Sequence, residues 1–302
     1  MKRVTSACMP SNPHVPNRIV LLDGPLGTEL TVRGVPTPLP GWSASALLTH
    51  PEEVLAIYTA YAEAGAEVLT ANTFRTQPRW FPEDWEAMTH LALRLAREGL
   101  GGRQGRVAGS IAPLEDCYRP DLSPKEPRDE HRLLARALAA GGADLILVET
   151  FPHPGEALIA LQEALATGLP VWFSLTAGPE ADLLSPAEMR PVFAEAAGLG
   201  AQALLVNCLP ARVVLDYLPA LQGHGLPFGA YANAGHADEG MGWRPDPLAA
   251  DRYAELAADR YAALAREWGD AGACILGSCC GTGPAHIRAL NRVPGVRPQV
   301  LD

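Results

Sequence analysis

The chain of 302 residues carries 34 acidic and 24 basic side chains, a formal charge of −10, with 48% hydrophobic and 19% charged residues. That profile belongs to a folded globular chain and not a disordered one. The acidic balance argues against a nucleic-acid partner, which calls for a basic face, and no apolar run approaches the roughly 18–20 residues of a membrane span. Met1-Lys2-Arg3 opens the chain with charge, but residues 1–17 lack the apolar stretch of a signal peptide. They are expected to form a flexible tail, leaving 18–302 as one folded unit. Six cysteines in a chain this long do not make a small disulfide framework. They point instead to a cytoplasmic protein with reactive or metal-binding thiols.

Short apolar runs alternate with helical patterns along the chain. Strands are predicted at 19–22, 67–71, 106–109, 144–148, 170–175, 202–206, 227–231 and 273–277. Between them, helices are predicted over 51–64, 84–98, 129–140, 156–167, 210–222 and 247–268, several closing on a glycine. A further helix is predicted to start at Ser185-Pro186-Ala187-Glu188, a capping box with proline in the first helical position. Strands that alternate with helices pair in parallel, because each crossover covers a sheet face. Eight such units predict an α/β chain folded as a single (β/α)8 TIM barrel.

Catalytic groups of a barrel gather where strands run into βα loops. The predicted strand ends are polar here: Asp23-Gly24, Asn72-Thr73, Gly109-Ser110, Glu149-Thr150, Asn207-Cys208, Asn233-Ala234 and Ser278-Cys279-Cys280. Taken singly, most such residues are ordinary turn and cap formers. Cys208, Cys279 and Cys280 are the exception, because barrel closure brings their strand ends to one mouth. A sulfur-rich trio with an open fourth position suits Zn2+, and Gly277 and Gly281 are expected to let the backbone bend so that neighbouring cysteines face one metal. The competing reading is a pair of small buried residues beside a strand. Cys274 is expected in the core, Cys8 in the tail and Cys117 in a loop, the last two without a partner at metal-ligand spacing. His236 is the one histidine near a predicted strand end, and is expected to be solvated. The sequence has no H-E-x-x-H helix, no phosphate-binding glycine loop and no G-x-S-x-G elbow. No heptad pattern identifies an oligomer interface.

Together, Leu22-Asp23-Gly24, Asn72-Thr73-Phe74, Gly109-Ser110-Ile111, Glu149-Thr150, Val206-Asn207-Cys208, Tyr231-Ala232-Asn233 and Gly277-Ser278-Cys279-Cys280-Gly281-Thr282 resemble the homocysteine S-methyltransferase family. The likeness runs from about residue 19 to 292. It implies a zinc-dependent barrel that moves a methyl group from a small activated donor, a sulfonium such as S-methylmethionine or S-adenosylmethionine, to homocysteine. The resemblance makes Cys208, Cys279 and Cys280 the zinc ligands and Asp23 and Glu149 the groups that hold the substrate ammonium. Gly24, Thr73, Ser110 and Asn233 are then further substrate-binding positions. The sequence departs from the family at Pro25, which lacks an N–H, and at Ser278. The loops 114–127 and 177–185 are shorter than in many relatives. Two alternatives stand beside this reading: a barrel acting on another small thiol or selenol, and a non-catalytic zinc or thiol-redox protein.

Overall fold

A computed structural model describes residues 18–235, 241 and 250–296, with the backbone alone for 250–256. The expected tail at 1–17, with Cys8, and His236 lie outside the described residues. Eight parallel strands form one sheet: β1 (Val20–Leu21), β2 (Val68–Ala71), β3 (Arg106–Ile111), β4 (Leu145–Phe151), β5 (Val171–Leu175), β6 (Ala203–Pro210), β7 (Phe228–Asn233) and β8 (Ile275–Ser278). Each pairs with its neighbour in sequence from β2 to β8, and β8 pairs with β1. A parallel bridge between Leu22 and Val68 joins β1 to β2. There Glu67 N–H donates to Leu21 O at 2.8 Å and Asp23 N–H to Val68 O at 3.0 Å. The single TIM barrel expected from the alternation is the observed fold.

The helices form the outer layer: α1 (Leu26–Val32), α2 (Ala46–Thr49), α3 (Pro51–Ala64), α4 (Trp85–Gly99), α5 (Arg128–Ala140), α6 (Pro154–Leu165), α7 (Pro186–Leu199), α8 (Val214–Leu221), α9 (Ala250–Asp270) and α10 (Pro284–Leu290). α3 shows why these segments are helical. Pro51 opens it, Glu52 and Glu53 lie in its first turn, and Val54, Ile57, Tyr58, Tyr61 and Ala62 form one buried stripe. Gly65 ends it in the left-handed conformation. The predicted capping box of α7 is present, with Ser185 N–H donating to Glu188 Oε2 at 2.8 Å and Glu188 N–H to Ser185 Oγ at 3.3 Å. No helix among the described residues is long and apolar enough to cross a membrane. Sequence periodicity did not place α1, α2 or α10, which are too short to develop a stripe.

Two apolar layers result. Leu22, Val68, Ala108, Leu145, Leu147, Trp172, Ala203, Leu205, Tyr231 and Ile275 pack with Cys274 as one cluster, the interior filling expected of a barrel. A larger cluster joins the outer sheet face to the helices. β4 and β6 run further than their apolar stretches suggested. Glu149, Thr150, Asn207 and Cys208 lie inside strands and not in loops, because register shifts after Val148 and Asn207 let pairing resume at Phe151 and Pro210.

A close approach of two strands dictates a glycine. A Cβ on Gly229 of β7 would lie 1.8 Å from the carbonyl oxygen of Ile275 on β8, whereas one on Gly198 of α7 meets nothing within 4 Å. Gly229→Ala is therefore expected to abolish the cooperative thermal transition followed by circular dichroism. Gly198→Ala should keep it and add about 0.5–1 kcal/mol of stability, since alanine is the better helix former.

Candidate active site

The C-terminal strand ends surround a cavity of about 530 Å3. Asp23, Gly24, Ser110, Glu149, Cys208, Cys279 and Cys280 line it, together with Trp42, Phe74, Cys117, Tyr118 and Tyr231. The three expected sulfur ligands meet there: the Sγ atoms of Cys208, Cys279 and Cys280 all lie within 4.8 Å of one another. Tetrahedral zinc–thiolate bonds of about 2.3 Å put bonded sulfurs roughly 3.8 Å apart, so the trio fits one such ion with small side-chain adjustment.

Each cysteine is placed by backbone geometry. Cys208 sits at the β6 register shift with φ +52°, a left-handed conformation unusual outside glycine. Its carbonyl accepts a hydrogen bond from Thr176 Oγ1 at 3.1 Å. The turn after β8 is pinned to β7: Cys279 N–H donates to Ala232 O at 2.8 Å, Cys280 N–H to Asn233 Oδ1 at 3.1 Å, and Ala234 N–H to Cys280 O at 3.0 Å. Gly281 takes φ +81°, supplying the bend expected of it. Gly277 has another role, since a Cβ there would lie 2.6 Å from Leu22 Cβ; it lets β8 approach β1. The thiols share their protons unequally. Hydrogen bonds from Cys208 and Cys279 hold Cys280 well below the ordinary thiol range, while its bonds with Cys208 and Cys280, then burial, push Cys279 well above it. Such a site favours a cation that allows all three to ionise.

The two carboxylates occupy other strands of the same mouth. Asp23, just after β1, accepts from Thr70 N–H at 2.7 Å and Thr70 Oγ1 at 2.9 Å. Glu149 on β4 accepts from Ser110 Oγ at 2.5 Å and Tyr231 Oη at 2.9 Å. Burial dominates both: it raises Asp23 to about 8 against its Thr70 bonds, with the Glu149 charge adding to the rise. Glu149 is raised as well, against the hydrogen bonds from Ser110 and Tyr231. A buried pair of this kind binds an ammonium group well, because the cation restores the charge that burial suppresses.

Thr73 and Asn233 sit behind this lining. Thr73 Oγ1 donates to Ser110 O at 2.8 Å and accepts from Ser110 N–H at 2.9 Å, so its contacts fix Ser110. Asn233 holds the Cys280 amide, as above. Gly24 packs on the Tyr61 ring, and Tyr61 Oη donates to Pro25 O at 3.0 Å.

The family model for homocysteine S-methyltransferase matches residues 20–293. The chain belongs to the homocysteine S-methyltransferase family. It is 31% identical to the homocysteine S-methyltransferase of Escherichia coli over 90% of this chain and 94% of that protein. It is 28% identical to the S-methylmethionine–homocysteine S-methyltransferase of Mus musculus, over 82% of this chain and 71% of the relative. Among solved structures, the metallated form of the homocysteine methyltransferase MmuM from E. coli superposes with a TM-score of 0.73 at 29% identity, covering 90% of this chain and 95% of that one.

Within this family's barrel, the structure adds residues that spacing did not reveal. Cys117 and Tyr118 reach the cavity from the loop between β3 and α5. That loop is anchored by Arg75, whose Nη1 donates to Glu115 O at 2.8 Å and Pro113 O at 3.3 Å, and by Leu114 N–H donating to Glu156 Oε1 at 2.9 Å. Burial pushes the Cys117 thiol up to about 12 against the pull of Arg75, so it stays protonated beside the trio. Trp42 and Phe74 meet edge to face, with ring centroids 5.7 Å apart.

Asp23 yields a pH prediction. Between about pH 4 and 8 the folded chain keeps a proton here that the unfolded chain releases, so this group makes stability fall as pH rises through that window. Asp23→Asn keeps an acceptor for Thr70 N–H and removes the buried charge. Its Tm at pH 9 is expected to exceed that of the unsubstituted chain by about 2–5 °C, measured calorimetrically, with the gap closing towards pH 5.

Proposed function

We propose that this chain transfers a methyl group from a small sulfonium donor to the thiol of homocysteine, forming methionine, with Zn2+ held by Cys208, Cys279 and Cys280. The observation that carries the reading is the convergence of three sulfurs and two buried carboxylates on one cavity. A metal store has no use for an ammonium grip, which favours an enzyme over a thiol-redox or storage protein. Zinc, when bound, lowers the pKa of an added thiol and supplies its thiolate at neutral pH.

The chain's own residues then bind and orient. Asp23 and Glu149 take the substrate ammonium, and its charge draws both into the ionised state. Ser110 and Tyr231 keep the Glu149 carboxylate aimed at the cavity, so the amino acid enters in one orientation. Gly24 and Leu26 amides remain to meet the substrate carboxylate, whereas Pro25 offers no N–H. Thr73 and Asn233 act behind the lining, on Ser110 and the Cys280 amide. The substrate sulfur attacks the donor methyl carbon in line. A sulfur–carbon bond forms, the donor's sulfonium–methyl bond breaks, and its electron pair returns to the donor sulfur as a neutral thioether. Trp42, Phe74 and Tyr118 supply the aromatic faces that favour a cationic donor. Reduced thiols in this number suit a cytoplasmic setting.

Metal analysis of protein purified under reducing conditions should find close to one zinc per chain. Methionine should form from homocysteine with S-methylmethionine or S-adenosylmethionine. Cys208→Ser is expected to lose both the metal and the turnover. Fully reduced protein free of zinc, or zinc-loaded protein without turnover on any sulfonium donor, overturns this reading.

A further inference from the structure

Four described non-glycine residues adopt positive φ, and two of them, Thr150 at +62° and Cys208 at +52°, lie at the register shifts of β4 and β6. Residues held in this region are strained and persist only where their surroundings over-determine them. Both shifts are held by one side chain. Asn207 is fully buried. Its Oδ1 accepts from Thr150 N–H at 3.1 Å and from Ser174 Oγ at 2.7 Å, and its Nδ2 donates to Thr150 Oγ1 at 2.7 Å. The amide therefore reaches across β5 from the strand of Cys208 to the strand of Glu149. Asn207 thus touches the Glu149 side through both the backbone and the hydroxyl of Thr150, the residue next to it. It touches the sulfur side once, as the residue immediately before Cys208.

We propose that Asn207 is a positioning residue that sets the Cys208 thiol and the Glu149 carboxylate in one rigid frame, so that metal affinity and amino-acid binding depend on the same buried amide. Only an amide fits all its partners: an alkyl group leaves the Thr150 N–H and the Ser174 hydroxyl unpaired, and buried unpaired donors are costly. The roles of the two ends rest on the proposed function, while the coupling between them rests on the hydrogen bonds. A residue that merely stabilised the fold would lower Tm without changing the metal affinity of the folded protein.

The test compares Asn207→Ala, Asn207→Asp and Ser174→Ala with the unsubstituted chain by chelator competition for zinc, by the cobalt(II) absorption spectrum and by the KM for homocysteine. Loss of supporting hydrogen bonds of this kind typically costs 10–100-fold in metal affinity, so Asn207→Ala is expected to weaken zinc by about that factor and to raise KM together with it. Ser174→Ala should shift both in the same direction by less. Asn207→Asp, which keeps the shape and the acceptor atoms, should recover much of the zinc affinity and the cobalt spectrum. Glu149→Gln separates the ends, raising KM with zinc affinity unchanged. If Asn207→Ala fails to fold, Ser174→Ala and Asn207→Asp decide. Zinc affinity within about twofold of the unsubstituted value in every folded Asn207 or Ser174 variant, or a change in zinc affinity or KM alone in those variants, overturns the inference. An unsubstituted chain that binds no zinc or methylates nothing overturns the proposed function instead.

Discussion

Three sulfur atoms crowded into a buried barrel mouth are the constraint on which the rest of the site depends. Ionised together in a low-dielectric setting they repel one another, and protonated together they are useless as ligands. The unequal sharing of protons among Cys208, Cys279 and Cys280 expresses that conflict within the protein alone. A divalent cation resolves it, and every nearby structural device keeps the sulfurs close while they lack any covalent tie to one another.

Those devices are drawn from three neighbouring strands. β6 brings Cys208 inward through a left-handed residue at a register shift, and β8 delivers the vicinal pair on a turn released by Gly281. β7 lies between them and fixes the turn with two backbone groups and the Asn233 side chain. The carboxylates come from β1 and β4, on other parts of the ring. Opposite chemistry is therefore separated by barrel geometry, with soft sulfur on one arc and hard carboxylate oxygen on another. Hydrogen bonds from Ser110 and Tyr231 keep Glu149 oriented without neutralising it.

Much of this was legible in the sequence, for identifiable reasons. Apolar runs alternating with amphipathic segments encode parallel strands under crossover helices, and the capping box at Ser185 marked the start of α7 to the residue. The vicinal cysteines after the last strand pointed to a metal because closure sends all strand ends to one rim. What periodicity cannot carry is the path of irregular backbone. Glu149, Thr150, Asn207 and Cys208 read as loop residues, yet they sit inside strands whose pairing slips and resumes. Cys117 offered no metal-ligand spacing, and only the anchoring of its loop by Arg75 and Glu156 brings it to the cavity. Thr73 and Asn233 stood out at strand ends, but their side chains bond to the backbone of the residues that line the cavity.

The joint between β1 and β2 has a consequence of its own. β1 is two residues long, and beyond the Leu22–Val68 bridge the ladder is continued by a side chain, because Thr70 N–H donates to the Asp23 carboxylate and not to a main-chain carbonyl. The barrel is thus stitched shut by a group that also faces the cavity. Protonation of that carboxylate, or its capture by a cation, changes the strength of a backbone hydrogen bond in β2. The Thr70 amide proton consequently registers the charge state of the mouth, and its chemical shift and exchange rate turn one position of the scaffold into a built-in sensor of occupancy.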